Sequence, residues 1–272
     1  MRYFVTGSTG FIGKNLLEKL QDEVYSYKRG EDVSLALHNF NPNVIIHLAG
    51  EIYDENSMFS SNTFLTYQLL MSSIDIPYKA FIYVGSSSEY GRKNNPMSET
   101  DYLDPTNLYE ATKGCWSLLS LGIAREFKKP IMIARPFSVY GKYEPEKRFI
   151  PTIIRCLKNN QELSIYYGYH DFIYVDDFIN GLIMLALNPV GGEVFNFGSG
   201  VQFSNEEVVE KIERIAKKKI NKKYIKGLLR AYDTNNWICD NRKAVSMGWR
   251  ITKSLSEGLY EVMEGIKNEN RT

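Results

Sequence analysis

Tyr3-Phe4-Val5-Thr6-Gly7-Ser8-Thr9-Gly10-Phe11-Ile12-Gly13 opens the chain and decides how the rest is read. A short apolar strand runs directly into a glycine-rich turn. A helix-patterned stretch with Leu16, Leu17 and Leu20 follows. Each glycine has a separate physical use. Gly7 allows the tight turn, Gly10 lets the backbone approach a pyrophosphate, and Gly13 lets the helix pack close to the strand. The N-terminus of the helix, with its unsatisfied N–H groups, then faces the anion. Strand, G-x-x-G-x-x-G and helix in this order predict a dinucleotide site at the first turn of an α/β fold.

Working outward, Val24-Tyr25-Ser26-Tyr27 is the expected second strand, and Lys28-Arg29-Gly30 follows where NAD-binding folds usually offer an acidic residue. A basic pair there suits a ribose 2′-phosphate, and so NADP. The competing account is a solvated basic turn. Asp32-Val33 is placed where an adenine ring would be touched. Asn43 to Gly50 reads as a buried parallel strand, and its small end, Leu48-Ala49-Gly50, leaves room for a cofactor. His47 precedes that end and is expected to be structural. Ser61–Ser73 is predicted helical with Phe64, Leu65, Leu69 and Leu70 inward, and Asn62 either faces the cofactor or holds a local turn. Ala80-Phe81-Ile82-Tyr83-Val84 is the next strand. It exits into Gly85-Ser86-Ser87-Ser88-Glu89-Tyr90-Gly91, which puts hydroxyls where open α/β sheets place their ligands.

Leu108-Tyr109-Glu110-Ala111-Thr112-Lys113 reads as the start of another helix, with Asp104 expected as its cap and Pro105 at the first helical position. Tyr109 and Lys113 are spaced to share one helical face. An ammonium beside a phenol favours phenolate and lowers a pKa that is ordinarily about 10. Such a pair can move a proton to or from a sugar oxygen, and a nearby serine can hydrogen-bond that oxygen as charge develops. Farther on, Pro130 to Phe137 is a buried strand. Asp176 or Asp177 is a candidate cap for an apolar helix through Ala186, and amphipathic helices are expected near Ser204–Lys218 and Ser254–Ile266.

The 272 residues carry 33 basic and 32 acidic side chains, and the net charge of +1 gives no footprint for nucleic acid or a membrane surface. No apolar run is long enough to span a bilayer, and, with Met1 leading straight into a strand-like segment, no signal peptide is expected. Cys115, Cys156 and Cys239 are widely spaced and read as reduced thiols. With His38, His47 and His170 they form no metal-ligand pattern, so no metal is expected and a cytoplasmic location is.

Together these motifs resemble the extended short-chain dehydrogenase/reductase family, in particular its NAD(P)-dependent nucleotide-sugar epimerases, dehydratases and reductases. The resemblance rests on the glycine loop, His47-Leu48-Ala49-Gly50, Ser86 to Gly91 and Tyr109-x-x-x-Lys113. It extends through Arg135-Pro136-Phe137-Ser138-Val139-Tyr140-Gly141, His170 to Asp177 and Asp240 to Trp249, so it covers nearly the whole chain. It implies an enzyme with a doubly wound parallel sheet and a small C-terminal substrate lobe. The Rossmann core would span 1–140 plus 171–200, and the lobe 141–170 plus 201–272.

By the same resemblance Ser86, Tyr109 and Lys113 are catalytic, and Lys113 and Tyr109 also meet the nicotinamide ribose. Gly7, Gly10, Phe11, Ile12, Gly13, Lys28, Arg29, Asp32, Val33, Leu48, Ala49, Gly50, Pro136 and Val139 hold NADP or NAD. Ser87, Ser88, Ser138, Arg148, His170 and Arg230 meet a nucleotide-sugar substrate, the last three its diphosphate. Ser87 and Ser88 stand where family dehydratases carry an acid, and Ser88 also where the 3,5-epimerase-reductases carry Cys. Both facts point away from those reactions. Lys28-Arg29 and the short interval from Val24 to Ile46 favour a 4-ketoreductase. The alternatives are a 4-epimerase with retained NAD and, behind it, a non-catalytic dinucleotide sensor. A homodimer is expected, because in relatives the helices near Ser61–Ser73 and Tyr109–Phe127 pack against their copies. Trp116, Leu119, Ile123 and Phe127 supply the apolar surface for this.

Overall fold

A computed structural model describes residues 1–228 and 235–269. Its strands are β1 (Arg2–Thr6), β2 (Glu23–Ser26), β3 (Val44–His47), β4 (Ala80–Val84), β5 (Ile131–Pro136), β6 (Ser138–Tyr140), β7 (Leu163–Tyr167), β8 (Tyr169–Tyr174), β9 (Val194–Phe197), β10 (Gln202–Ser204) and β11 (Lys222–Leu228). Its α-helices are α1 (Phe11–Lys19), α2 (Val33–Phe40), α3 (Glu55–Phe59), α4 (Leu65–Ser73), α5 (Leu108–Glu126), α6 (Phe149–Asn159), α7 (Val175–Leu187), α8 (Asn205–Ala216), α9 (Arg242–Ser246) and α10 (Leu255–Glu269). One parallel sheet has the order β2-β1-β3-β4-β5-β9. Alternate residues of its strands enter two different cores. Phe4, Ile45, Phe81 and Ile133 pack with Leu37, Leu69 and Trp116 on one face, while Val5, Ile46, Ile82 and Met132 pack with Leu16, Phe178 and Leu182 on the other. A sheet buried on both faces explains why these strands read as continuous apolar runs instead of alternating ones. The chain leaves β1 toward β2 and then crosses back to β3, so the sheet order reverses at β1. Ligands bind at the carboxyl ends of the strands beside such a point.

The rest of the chain builds the wall opposite that edge. β6, β8 and β10 form a three-stranded sheet, and β7 pairs in parallel with β11. The C-terminal segment is pinned by Asp177, which is fully buried on α7. Its carboxylate accepts from Thr252 N–H (3.1 Å), Thr252 Oγ1 (2.5 Å) and Lys253 N–H (3.2 Å), and its backbone carbonyl accepts from Trp249 Nε1 (2.8 Å).

Several element ends differ from the sequence reading. Asn107, not Asp104, caps α5, with Oδ1 accepting from Glu110 N–H at 3.0 Å. The stretch before it is held elsewhere, since Asp104 N–H donates to Glu89 O. Asp177 does not cap α7, whose N-cap is Tyr174, because its carboxylate serves the C-terminal segment. Asp176 pairs instead with Lys19 at 3.4 Å. The helix expected over Ser61–Ser73 starts earlier, at α3, and passes through a π-helical turn, Ser60–Phe64, before α4. That extra residue in the turn rotates Phe64 outward, to 64% exposure. Trp116 and Ile123 point into the core, not outward.

Replacing Asp177 by Ala leaves its three donors without an acceptor. The unfolding free energy should fall by about 3 kcal/mol, from the worth of hydrogen bonds to a buried charge, measured by denaturant titration. A change below about 1 kcal/mol would mean that the C-terminal segment is held by packing alone.

Candidate active site

The glycine loop has the geometry of a dinucleotide cradle. Gly7 has φ +70°, and a Cβ there would lie 2.6 Å from Ala49 N, so β1 and the end of β3 meet as closely as backbones can. A Cβ on Gly13 would lie 2.2 Å from Gly7 O. Gly10, by contrast, is exposed and would meet nothing nearer than 3.3 Å. It is the N-cap of α1 and carries no capping side chain, which leaves the first N–H groups of the helix open to an anion. The residues present therefore fit a pyrophosphate. Gly7, Gly13 and Ala49 are the close-packed part of this loop and the Phe11 ring lies under the Arg148 guanidinium at 5.8 Å; these four and Gly10 do not line the large cavity described next.

At the end of β2, Lys28 and Arg29 are exposed. The turn is clasped by Glu31, whose carboxylate accepts from Lys28 N–H (3.2 Å) and Tyr25 OH (3.1 Å), while Tyr27 OH donates to its backbone carbonyl. Asp32 caps α2 by accepting from Leu35 N–H, and Val33 is buried beneath that helix. Both of their side chains are thus engaged in starting α2.

A cavity of about 1190 Å³ runs from this loop across the carboxyl ends of β3, β4 and β5 to β7 and β8. It is lined by Ile12, Leu48, Gly50, Ser86, Ser87, Ser88, Tyr109, Lys113, Pro136, Ser138, Val139, Arg148 and His170, all singled out from sequence. Arg230 lies outside the described residues. Near the middle, Lys113 is only 6% exposed and donates from Nζ to Val84 O at 2.9 Å, which ties α5 to the end of β4. Burial pushes its pKa down to about 8, and the Glu89 carboxylate offsets part of that fall. Gly50 passes so close that a Cβ there would be 3.3 Å from Lys113 Nζ. Ser86 is the N-cap of the 3-10 turn Ser87–Tyr90. Its Oγ accepts from Ser88 N–H (3.2 Å) and shares a hydrogen bond with Ser88 Oγ (2.7 Å). Among the described residues no group of His, Cys, Asp and Glu could hold a metal ion.

His47 is structural. Thr66 Oγ1 donates to Asn62 O, so it must accept from His47 Nε2–H. Nδ1 then accepts from Thr6 Oγ1, which itself accepts from Ala49 N–H. Burial pushes the imidazole pKa down to about 3, with Lys113 adding to the fall, and so keeps the ring neutral. Asn62 proves to hold a turn: its amide accepts from Glu51 N–H (2.6 Å) and donates to Glu51 O (3.0 Å), fixing the residue after Gly50.

A family model described as the NAD dependent epimerase/dehydratase family matches residues 3–198. The chain belongs to that family. It is 27% identical to the low-salt glycan biosynthesis protein Agl12 of Haloferax volcanii, over 95% of this chain and 96% of that protein. It is also 27% identical to a UDP-glucuronate 4-epimerase of Thermodesulfobacterium geofontis, over 97% and 96%. Among solved structures, the UDP-glucuronic acid 4-epimerase from Bacillus cereus in complex with UDP-glucuronic acid and NAD superposes with a TM-score of 0.89 at 26% identity, covering 99% of this chain and 100% of that one. Membership in the epimerase/dehydratase family agrees with the sheet, the loop and the cavity. Among the described residues no helix is long and apolar enough to cross a membrane.

Sequence reading missed several lining groups. Lys147 and Arg155 join Arg148 on the cavity wall. Arg155 lies two helical turns after Arg148, a spacing that could have revealed it. Glu144 pairs with Arg148 Nε at 2.9 Å, and burial raises its carboxyl to about 7 against the opposing pull of that arginine. Arg148 also donates from Nη2 to Val139 O, so part of its fork is already committed. Glu89 was legible too, since Ser86-x-x-Glu89 is a capping box and the structure forms it.

The buried ammonium gives a direct check. Lys113 Nζ, assigned through Lys113→Met, is expected to titrate near 8 in the ligand-free protein by heteronuclear NMR, against about 10.4 for an exposed lysine. Titration at the exposed value would show that water reaches the site and that the close packing against Val84 and Gly50 does not hold.

Proposed function

We propose that the protein is an NAD(P)-dependent oxidoreductase acting at C4 of a nucleotide-linked hexose. The observation that carries this reading is the meeting of Ser86, Tyr109 and Lys113 on one cavity, beside Gly50 and the ends of β3 to β5. When bound, the nicotinamide cofactor supplies or accepts the hydride. The protein's own groups handle the proton. The Tyr109 phenolate takes it from a C4 hydroxyl, or the Tyr109 phenol gives it to the oxygen of a C4 ketone, and the charge of Lys113 stabilises the phenolate. Ser86 Oγ hydrogen-bonds the same oxygen. Lys147, Arg148 and Arg155 supply cationic donors, and His170 a ring N–H, for a diphosphate farther along the cavity.

The reading that fits best is 4-ketoreduction with NADPH. It is supported by the exposed Lys28 and Arg29 at the end of β2, where a 2′-phosphate would lie. The 4-epimerase reading, with retained NAD, is supported by the two relatives that bear that name. The absorbance and mass of the copurifying cofactor separate the two. NADP(H) exchange and net NADPH oxidation with a 4-keto nucleotide sugar are expected, whereas tightly held NAD with interconversion of C4 epimers would establish the epimerase.

Tyr109→Phe should bind cofactor as the wild type does but turn over roughly a hundredfold more slowly, the scale of a lost general acid. The assay is steady-state kinetics with UDP-, TDP-, CDP- and GDP-linked sugars. Unchanged turnover, or equal turnover of a free sugar, would sink the assignment.

The same reading includes a homodimer. Phe64 beside α4, Tyr67 and Met71 on α4, and Leu118, Leu119 and Phe127 along α5 are 40–64% exposed, and the Tyr67–Trp116 ring contact at 6.5 Å joins the two helices. That much apolar surface on neighbouring helices suits a self-complementary interface. Sedimentation at micromolar concentration should show a dimer, and Leu119→Glu should shift it to monomer. A monomeric wild type would remove the interface.

A further inference from the structure

The serine turn contains a carboxylate with no exposure at all. Glu89 Oε1 accepts from the backbone N–H of Ser86 at 2.7 Å, and Oε2 accepts from Arg135 Nε at 2.8 Å. Arg135, itself 2% exposed on β5, donates from Nη1 to Tyr90 OH at 2.9 Å, and Tyr90 donates to Asn196 on β9 at 2.8 Å. One carboxylate thus ties the residue at the exit of β4 to the two strands beyond it. An ion pair this deep is a poor source of stability, since two charges have been taken out of water to make it and an apolar pair could fill the same space. The sheet nonetheless makes room for it. A Cβ on Gly85 would lie 2.3 Å from Glu89 Oε1, so only glycine at the end of β4 lets the carboxylate reach Ser86.

We infer that Glu89 is the positioning residue of this active site: by holding the Ser86 backbone against Arg135, it aims the Ser86 hydroxyl at the oxygen on which Tyr109 acts. This rests on the reading of Ser86 and Tyr109 given above. The hydroxyl pairs with Ser88, through N–H and Oγ, and Ser88 belongs to the same turn. Its direction is therefore set by the backbone that Glu89 fixes. The same negative charge acts on Lys113 and helps to keep its ammonium charged. Glu89 touches neither substrate nor cofactor, because Ser86, Ser88 and Lys113 line the cavity and Glu89 does not.

The test is a double-mutant cycle with the panel nucleotide sugar that shows the highest kcat/KM. Ser86→Ala should lower kcat roughly a hundredfold, and Glu89→Gln roughly tenfold or more with KM within about threefold, because a transition-state contact is lost and ground-state binding is not. The double variant should be no slower than Ser86→Ala by more than about threefold, since residues acting through one group are not additive. Gly85→Ala, which keeps the carboxylate but displaces it, should copy Glu89→Gln. A readout independent of turnover is the Ser86 amide proton of the cofactor-free protein. It should lie far downfield in the wild type, as a short charge-assisted bond demands, and move upfield in both variants. Multiplied losses in the double variant, or a lower melting temperature with unchanged kcat, would make Glu89 merely structural. If the Gln variant does not fold, Gly85→Ala against Ser86→Ala decides in the same way, and an ordinary amide position in the wild type overturns the inference without any variant. Ser86→Ala at the wild-type rate would instead reject the site reading itself.

Discussion

An ammonium group is held inside this protein, and the architecture around it follows from that. Lys113 is almost fully removed from water, yet its Nζ must keep a partner, because an unpaired buried charge is among the most expensive things a fold can contain. Val84 O supplies the partner, and it can do so because β4 ends there, with its last carbonyl free of the ladder. Gly50 supplies the space, the Tyr83 ring lies 5.3 Å away as a polarisable wall, and Glu89 supplies an opposing charge. α5 is therefore locked to the edge of the sheet at the place where its Tyr109 lines the cavity.

That edge is set by topology. Because the chain turns outward from β1 to β2 and then returns to β3, the sheet changes direction at β1, and the cavity starts at the carboxyl ends of these strands, where Ile12 and Leu48 line it. The loop after β1 is held by Gly7 and Gly13, and the end of β3 by the hydrogen-bond chain from Asn62 through Thr66, His47 and Thr6 to Ala49. Each link has one consistent donor and one acceptor, so the chain fixes both the histidine tautomer and the backbone beside the cavity. The second wall is of a different kind. It comes from short strands and from α6, and its cations stand near an acid: Glu144 already takes up part of Arg148.

Much of this was written in the sequence, because the physics involved is local. A turn with positive φ needs glycine at position 7, strands buried on both faces need unbroken apolar runs, and a shared helix face needs the spacing of Tyr109 and Lys113. The same locality gave Ser86 and its hydroxyl neighbours, and it offered the Ser86-x-x-Glu89 box.

What the tertiary structure decided are the pairings between distant segments. Asp177 looks like a helix cap from its position, but Thr252 and Lys253 arrive to claim its carboxylate, and no local rule announces them. Trp116 and Phe64 both sit in apolar helical patterns, yet one is buried and the other exposed, because a π turn rotates the second helix against the sheet. The partner of Glu89 is 46 residues away, on a strand that becomes its neighbour only when the sheet forms. Sequence determines which groups a residue could satisfy within a turn or two of chain, and only the assembled sheet determines which buried charges face each other.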